Sequence, residues 1–108
     1  MLVVDDDSSL RLLCRVNLEL EGYSVVEAYS LESAQTALAE DEIDVTLLDV
    51  HLGNQDGLAL LPAIESQGGA VALLTGSPGA LLPDDATIIG KPFSIDELSE
   101  TVRRLAGL

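Results

Sequence analysis

Basic residues are scarce in this chain. Five Lys and Arg face 19 Asp and Glu among 108 residues, a formal net charge of −14. A field of that sign repels phosphate backbones and anionic lipid surfaces, which argues against direct nucleic-acid binding and against a membrane partner. Its natural complement is a cation, or a protein with a basic patch. Aromatics make up only 3% of the chain, with no tryptophan, so a core must come from the Leu, Val, Ile and Ala that dominate the 47% apolar fraction. Cys14 is the one cysteine, which excludes an intrachain disulfide. It falls within a helical apolar pattern, where a buried, inert thiol is expected, and this usage fits a reducing cytoplasm. No apolar run is long enough to span a bilayer. Met1 runs directly into a strand-like segment, so no signal peptide is expected. The length suits one domain over residues 1–108 with a single real core. Nothing in the composition specifies an oligomeric state.

Along the chain, apolar segments alternate between two periods. Met1 to Val4 is a short β-branched run that stops at Asp5, Asp6 and Asp7. Asp7 or Ser8 then caps a helix carrying Leu10, Leu13, Cys14 and Leu18, which Gly22 ends. Tyr23 to Ala28 reads as a second strand, and Ser30 caps a helix with Leu31, Ala34, Ala37 and Leu38. Ile43 to Val50 is nearly continuous in apolar character and holds Asp49 near its end, the pattern of a strand covered on both faces. A loop with Gly53, Asn54, Asp56 and Gly57 leads to a third helix from Leu58 to Ser66, capped by Asp56 and stopped by Gly68 and Gly69. Pro62 fits there only if the helix begins late enough to place the ring in its first turn. Val71 to Thr75 and Thr87 to Ile89 are the fourth and fifth strands, and the segment between them leaves room for one helical turn at most. Ser94 to Glu97 reads as a capping box opening a last helix with Leu98, Val102 and Leu105 on one face. The chain ends with this helix, and no attached output domain is expected.

Short apolar strands alternating with helices predict an α/β fold, a doubly wound five-stranded parallel sheet with a shortened or missing fourth helix. In such sheets ligands gather beyond the carboxyl ends of the strands, where strand order reverses. In the flavodoxin-like order 2-1-3-4-5 that point lies between the first and third strands. Asp5 and Asp6 follow the first strand and Asp49 stands near the end of the third. Converging carboxylates repel one another unless something compensates them. A site of oxygen donors without sulfur suits a hard cation, magnesium best. Each piece alone has an ordinary explanation: a solvated acidic turn, a structural hydroxyl at Thr75, a surface lysine at Lys91. Their weight comes from falling together at the carboxyl ends of consecutive strands.

These stretches resemble the response-regulator receiver family along essentially the whole chain. The resemblance rests on Leu-Val-Val-Asp-Asp-Asp at 2–7, Leu-Leu-Asp-Val-His-Leu-Gly at 47–53, Asp-Gly-Leu at 56–58, Leu-Leu-Thr-Gly at 73–76 and Lys-Pro-Phe at 91–93. It implies a two-component switch that accepts a phosphoryl group on Asp49 from a histidine kinase or phosphotransfer protein and signals to a downstream protein. It implies an Mg2+ site formed by Asp6, Asp49, the backbone carbonyl of His51 and, partly through water, Asp5. It implies contacts from Thr75 and Lys91 to the phosphoryl oxygens, and a part for the residue at His51 in tuning hydrolysis. Such a domain is a signalling module and not an enzyme acting on external substrates.

Two positions depart from the family pattern. Ile88 stands three residues before Lys91, where the family usually carries an aromatic ring. Fifteen residues separate Thr75 from Lys91, two of them prolines, where the family usually has a full helix. Both bear on how a signal leaves the domain, and they make a degenerate receiver, docking partners without being phosphorylated, the alternative reading. An aspartyl-nucleophile phosphatase is a poorer match, because that chemistry generally needs a second carboxylate two residues after the nucleophile, where His51 stands. Flavin binding is opposed by the acidic loop after the first strand.

Overall fold

A computed structural model describes residues 1–76, 82–83 and 85–107. In chain order the elements are β1 (Leu2–Val4), α1 (Ser8–Leu20), β2 (Val26–Ala28), α2 (Leu31–Glu40) and β3 (Val45–Asp49). There follow β4 (His51–Leu52), β5 (Gln55–Asp56), a 3-10 turn (Gly57–Leu60), α3 (Leu61–Ser66), β6 (Ala70–Thr75), β7 (Thr87–Gly90) and α4 (Ile95–Leu105). Five parallel strands pair in the order β2-β1-β3-β6-β7, while β4 and β5 form a separate two-stranded antiparallel hairpin. Setting the hairpin aside, this is the expected order 2-1-3-4-5.

Side chains alternate across the sheet and build a core on each face. Leu2, Val4, Leu48 and Leu73 point to one face, where Ala34 and Leu38 of α2 and Ile64 of α3 cover them. Val3, Leu47, Ala72, Leu74 and Ile89 point to the other, against Cys14 and Leu18 of α1 and Leu98 and Val102 of α4. A fully buried leucine such as Leu18 or Leu47 contributes roughly 1.5–3 kcal/mol. This double cover explains why β3 is buried at every position. Thr46 has its hydroxyl buried there without a hydrogen-bond partner, a local cost within the strand.

Local corrections have physical causes. The second strand starts at Val26 because the Tyr23 N–H instead bonds the Leu18 carbonyl and finishes α1. The third is trimmed to Val45–Asp49, although the Val50 N–H still reaches the Leu74 carbonyl. The expected loop after it contains the β4–β5 hairpin. Asp56 caps a 3-10 turn, and the α-helix proper begins only at Leu61, which puts Pro62 in its first turn, where a missing N–H costs nothing. Asp7, not Ser8, caps α1 by accepting from the Ser9 and Leu10 N–H groups. Leu13 lies outside the core, exposed with Leu12, Val16 and Leu20 on the outer side of α1. At α4 the Ser94 side chain accepts from the Glu97 N–H, whereas the reciprocal pair of cap bonds occurs at Ser30 and Ser33. Most of the segment proposed as a reduced fourth helix lies outside the described residues; Leu82, Pro83, Asp85 and Ala86 carry no helix. No helix among the described residues is long and apolar enough to cross a membrane.

Candidate functional site

Strand register assembles the site. Val4 of β1 pairs in step with Leu48 of β3, so the next residues along, Asp5 and Asp49, lie side by side at the carboxyl edge of the sheet. Carboxylate oxygens of Asp5, Asp6 and Asp49 all lie within 4.8 Å of one another. Asp5 is completely buried and Asp49 is 4% exposed, whereas Asp6 faces solvent. On the strand next to β3, Thr75 ends β6 in register with Gly90 of β7, and its carbonyl accepts the Lys91 N–H at 2.8 Å. That places the Lys91 ammonium over the pocket, 2.9 Å from Asp5 Oδ2 and 3.3 Å from Asp49 Oδ2. Thr75 is itself buried at the same edge. The Lys91–Pro92 peptide is cis.

The acids are held by backbone as well as by charge. Asp5 Oδ1 accepts the Asp7 N–H at 2.9 Å, and Asp49 Oδ1 accepts the His51 N–H at 3.2 Å. Asp6 Oδ2 accepts the Gly53 N–H at 3.0 Å, a contact allowed by a φ of +60° at Gly53. Thus the exposed acid ties the hairpin to the end of β1. His51 is exposed to solvent.

Electrostatics mark Asp49 as the strained member. Burial, then repulsion from Asp5, push its carboxyl above the usual carboxylate range, against the His51 N–H and Lys91. Burial pulls the Lys91 ammonium down, but its hydrogen bonds and charge contacts with Asp5 and Asp49 outweigh that and hold it above its ordinary value. One cation for three carboxylates leaves the pocket short of positive charge. Burial and the Asp5 charge together push the Cys14 thiol up to about 11, in keeping with an inert core residue.

Two site residues lacked a legible signal. The Arg11 guanidinium donates to the Asp5 carbonyl at 2.6 Å, although its place in the first turns of α1 reads only as a surface cation. Gly57 abuts the carboxyl end of β3: its N–H bonds the Val50 carbonyl at 2.8 Å, and a Cβ there would overlap the Asp49 carbonyl oxygen. Gly57→Ala is therefore expected to cost about 3 kcal/mol in urea denaturation and to displace Asp49, because backbone cannot yield as a side chain would.

Both the sequence and the fold match known proteins. Residues 1–103 match the family model described as the response regulator receiver domain. A putative transcriptional regulator of Haloferax volcanii is 38% identical over 97% of this chain and 19% of its own length. The transcriptional regulatory protein CpxR of Escherichia coli K12 is 32% identical over 97% of this chain and 48% of its own. The chain therefore spans from about a fifth to about a half of these curated relatives. Among solved structures, the receiver domain of NtrX from Brucella abortus superposes with a TM-score of 0.84 at 30% identity, covering 98% of this chain and 97% of that one. The receiver domain of the hybrid histidine kinase CckA gives 0.85 at 28% identity, covering 97% and 96%. The chain belongs to the response regulator receiver domain family of two-component signalling.

Proposed function

We propose that this domain, spanning residues 1–108, is a phosphorylation-controlled switch that accepts a phosphoryl group on Asp49 from a histidine kinase or phosphotransfer protein, in an Mg2+-dependent reaction in the cytoplasm. The observation that carries it is the bridge from Lys91 Nζ to Asp5 and Asp49, over a carboxylate whose ionised form burial and Asp5 disfavour. A buried carboxylate destabilised in this way is a nucleophile in need of an electrophile.

The donor set fits a hard cation: oxygen only, three carboxylates close together, and one of them exposed to admit it. Asp6, Asp49 and the His51 carbonyl would hold it, with Asp5 acting through water. When bound, it supplies positive charge where the transferring phosphoryl oxygens gather negative charge. An Asp49 oxygen attacks phosphorus in line; the new O–P bond forms as the P–N bond to the donor imidazole breaks, and the imidazole leaves with that electron pair. Lys91 lies within reach of the same oxygens, and its ammonium offsets charge that is greater in the transition state than in the free donor. The Thr75 hydroxyl, at the neighbouring strand end, contacts a phosphoryl oxygen of the product. Water later cleaves the acyl phosphate and resets the switch, with the His51 side chain exerting a modest effect on that rate.

A protein donor also needs a contact surface. Leu12, Leu13, Val16 and Leu20 are exposed together on α1, whose N-terminal end leads directly from Asp6 and Asp7. Ile88, exposed on β7, is the corresponding feature on the side from which a downstream protein would read the state. Ile88 and the short segment before Lys91 motivate the alternative of a domain that docks partners without the chemistry, but Asp5, Asp6, Asp49, Thr75 and Lys91 are all present, which favours the working switch. Intact mass after incubation with a small phosphodonor tests the proposal: one phosphoryl group is expected with Mg2+, none after chelation and none in Asp49→Asn. A folded, metal-binding protein that takes up no phosphoryl group would overturn it.

A further inference from the structure

Only five side chains in this chain are basic, yet two of them converge on Asp5. Lys91 takes its carboxylate, which belongs to the proposed chemistry. Arg11 takes its main-chain carbonyl, and nothing in the reaction described above uses it. The contact is short, 2.6 Å from Nη1, and the Arg11 side chain is only 15% exposed.

Its geometry is fixed from the other side as well. Arg11 Nε donates to Glu27 Oε1 at 3.2 Å, and the second oxygen of Glu27 accepts Arg15 Nη1 at 3.1 Å. Glu27 stands on β2 in register with Val3, so the clamp spans from the sheet to α1 and back to the end of β1. β1 has only three residues in the ladder, and Asp5 lies one beyond it. Beyond that ladder, the Asp5 backbone is held by its N–H to the Ala28 carbonyl at 3.1 Å and by Arg11 at its own carbonyl. The peptide that Arg11 grips joins Asp5 to Asp6, two of the three pocket acids.

We propose that Arg11, braced by Glu27, is a positioning residue that sets where the Asp5 and Asp6 carboxylates stand and so tunes metal affinity and phosphoryl uptake. This rests on the Asp49 reading above. A planar guanidinium satisfies both acceptors at once, whereas a lysine ammonium is a compact point charge that cannot reproduce the fork. Arg11→Lys therefore keeps the charge and removes the geometry. Arg15→Lys is the matched control, since Arg15 shares Glu27 but does not reach Asp5.

The test is calorimetric titration with Mg2+ well below the melting temperature, paired with the rate of phosphoryl uptake from a small phosphodonor at saturating Mg2+. Partners that orient metal-binding groups typically affect affinity 10–100-fold when removed. For the conservative Arg11→Lys, an affinity loss of about three- to tenfold and slower uptake at saturation are expected, with Arg15→Lys within about twofold of wild type. Glu27→Gln, which keeps an acceptor oxygen but releases the brace and uncovers the Arg11 charge, is expected to weaken Mg2+ binding in the same direction, and it carries the test if Arg11→Lys folds poorly. Wild-type affinity and rate in Arg11→Lys, or in Glu27→Gln where that variant stands in, overturn the inference while leaving the Asp49 chemistry intact. A wild-type protein that neither binds Mg2+ nor takes up phosphoryl overturns both.

Discussion

Lys91→Met is expected to lose about 3 kcal/mol of stability at neutral pH without metal, because it leaves two buried carboxylates facing each other without their cation. The loss depends on pH in a direction set by the groups involved. Asp49 already sits above the usual carboxylate range, so its protonated form is favoured by folding. As pH falls into the acidic range Asp49 takes up a proton, the repulsion disappears and the variant recovers toward wild type. On the alkaline side the Lys91 contribution is present in full below the ordinary lysine pKa. It fades as pH rises through the elevated value in the fold, so the two proteins converge there as well. Urea denaturation of both proteins across the pH range would show a stability difference greatest between these limits. A difference that is flat with pH would mean that Lys91 contributes packing and not charge compensation.

Saturating Mg2+ is expected to stabilise the wild-type protein by roughly 2.7 kcal/mol at a hundredfold excess over its dissociation constant, through preferential binding to the folded state. Asp6→Ala should remove this response, since Asp6 is the exposed member of the acid cluster. Without metal the same substitution should change stability little. It loses the Gly53 N–H contact but relieves like-charge repulsion. Lys91→Met should respond to Mg2+ more strongly than wild type, because the ion then replaces the missing charge. Thermal melts with and without Mg2+ resolve all three proteins. A melting temperature indifferent to Mg2+ in the wild type would count decisively against the metal site.

The parts of this molecule that were legible in its residues are those where burial and strand ends dictate position. Ile43 to Val50 reads as a doubly covered strand because it is nearly continuous in apolar character, and burial at every position of Val45–Asp49 follows, at the cost of the unpaired Thr46 hydroxyl. Asp5, Asp49, Thr75 and Lys91 could be grouped because a parallel sheet brings the ends of successive strands to one edge. Contacts made through backbone were less accessible. The Arg11 bond to the Asp5 carbonyl has no counterpart in side-chain patterning, since its acceptor belongs to every residue alike. The close approach of Gly57 to Asp49 arises from the path of the hairpin, which the Gly53 to Gly57 stretch announces only as a turn. Leu13 follows helical spacing yet faces outward, because α1 carries apolar residues over more of its surface than the sheet can cover. The late start of α3 was foreshadowed by Pro62, whose ring restricts the helix whatever the tertiary setting.

The most direct test of the central claim is to locate the phosphoryl group. An acyl phosphate reacts with neutral hydroxylamine, which displaces phosphate and leaves a hydroxamate on the carboxyl that carried it. After treatment with a small phosphodonor and Mg2+, followed by hydroxylamine and peptide mapping, a single hydroxamate at Asp49 is the expected result. A stable phosphoryl group on His51, Thr75 or a serine, or a hydroxamate at another acid, would contradict it.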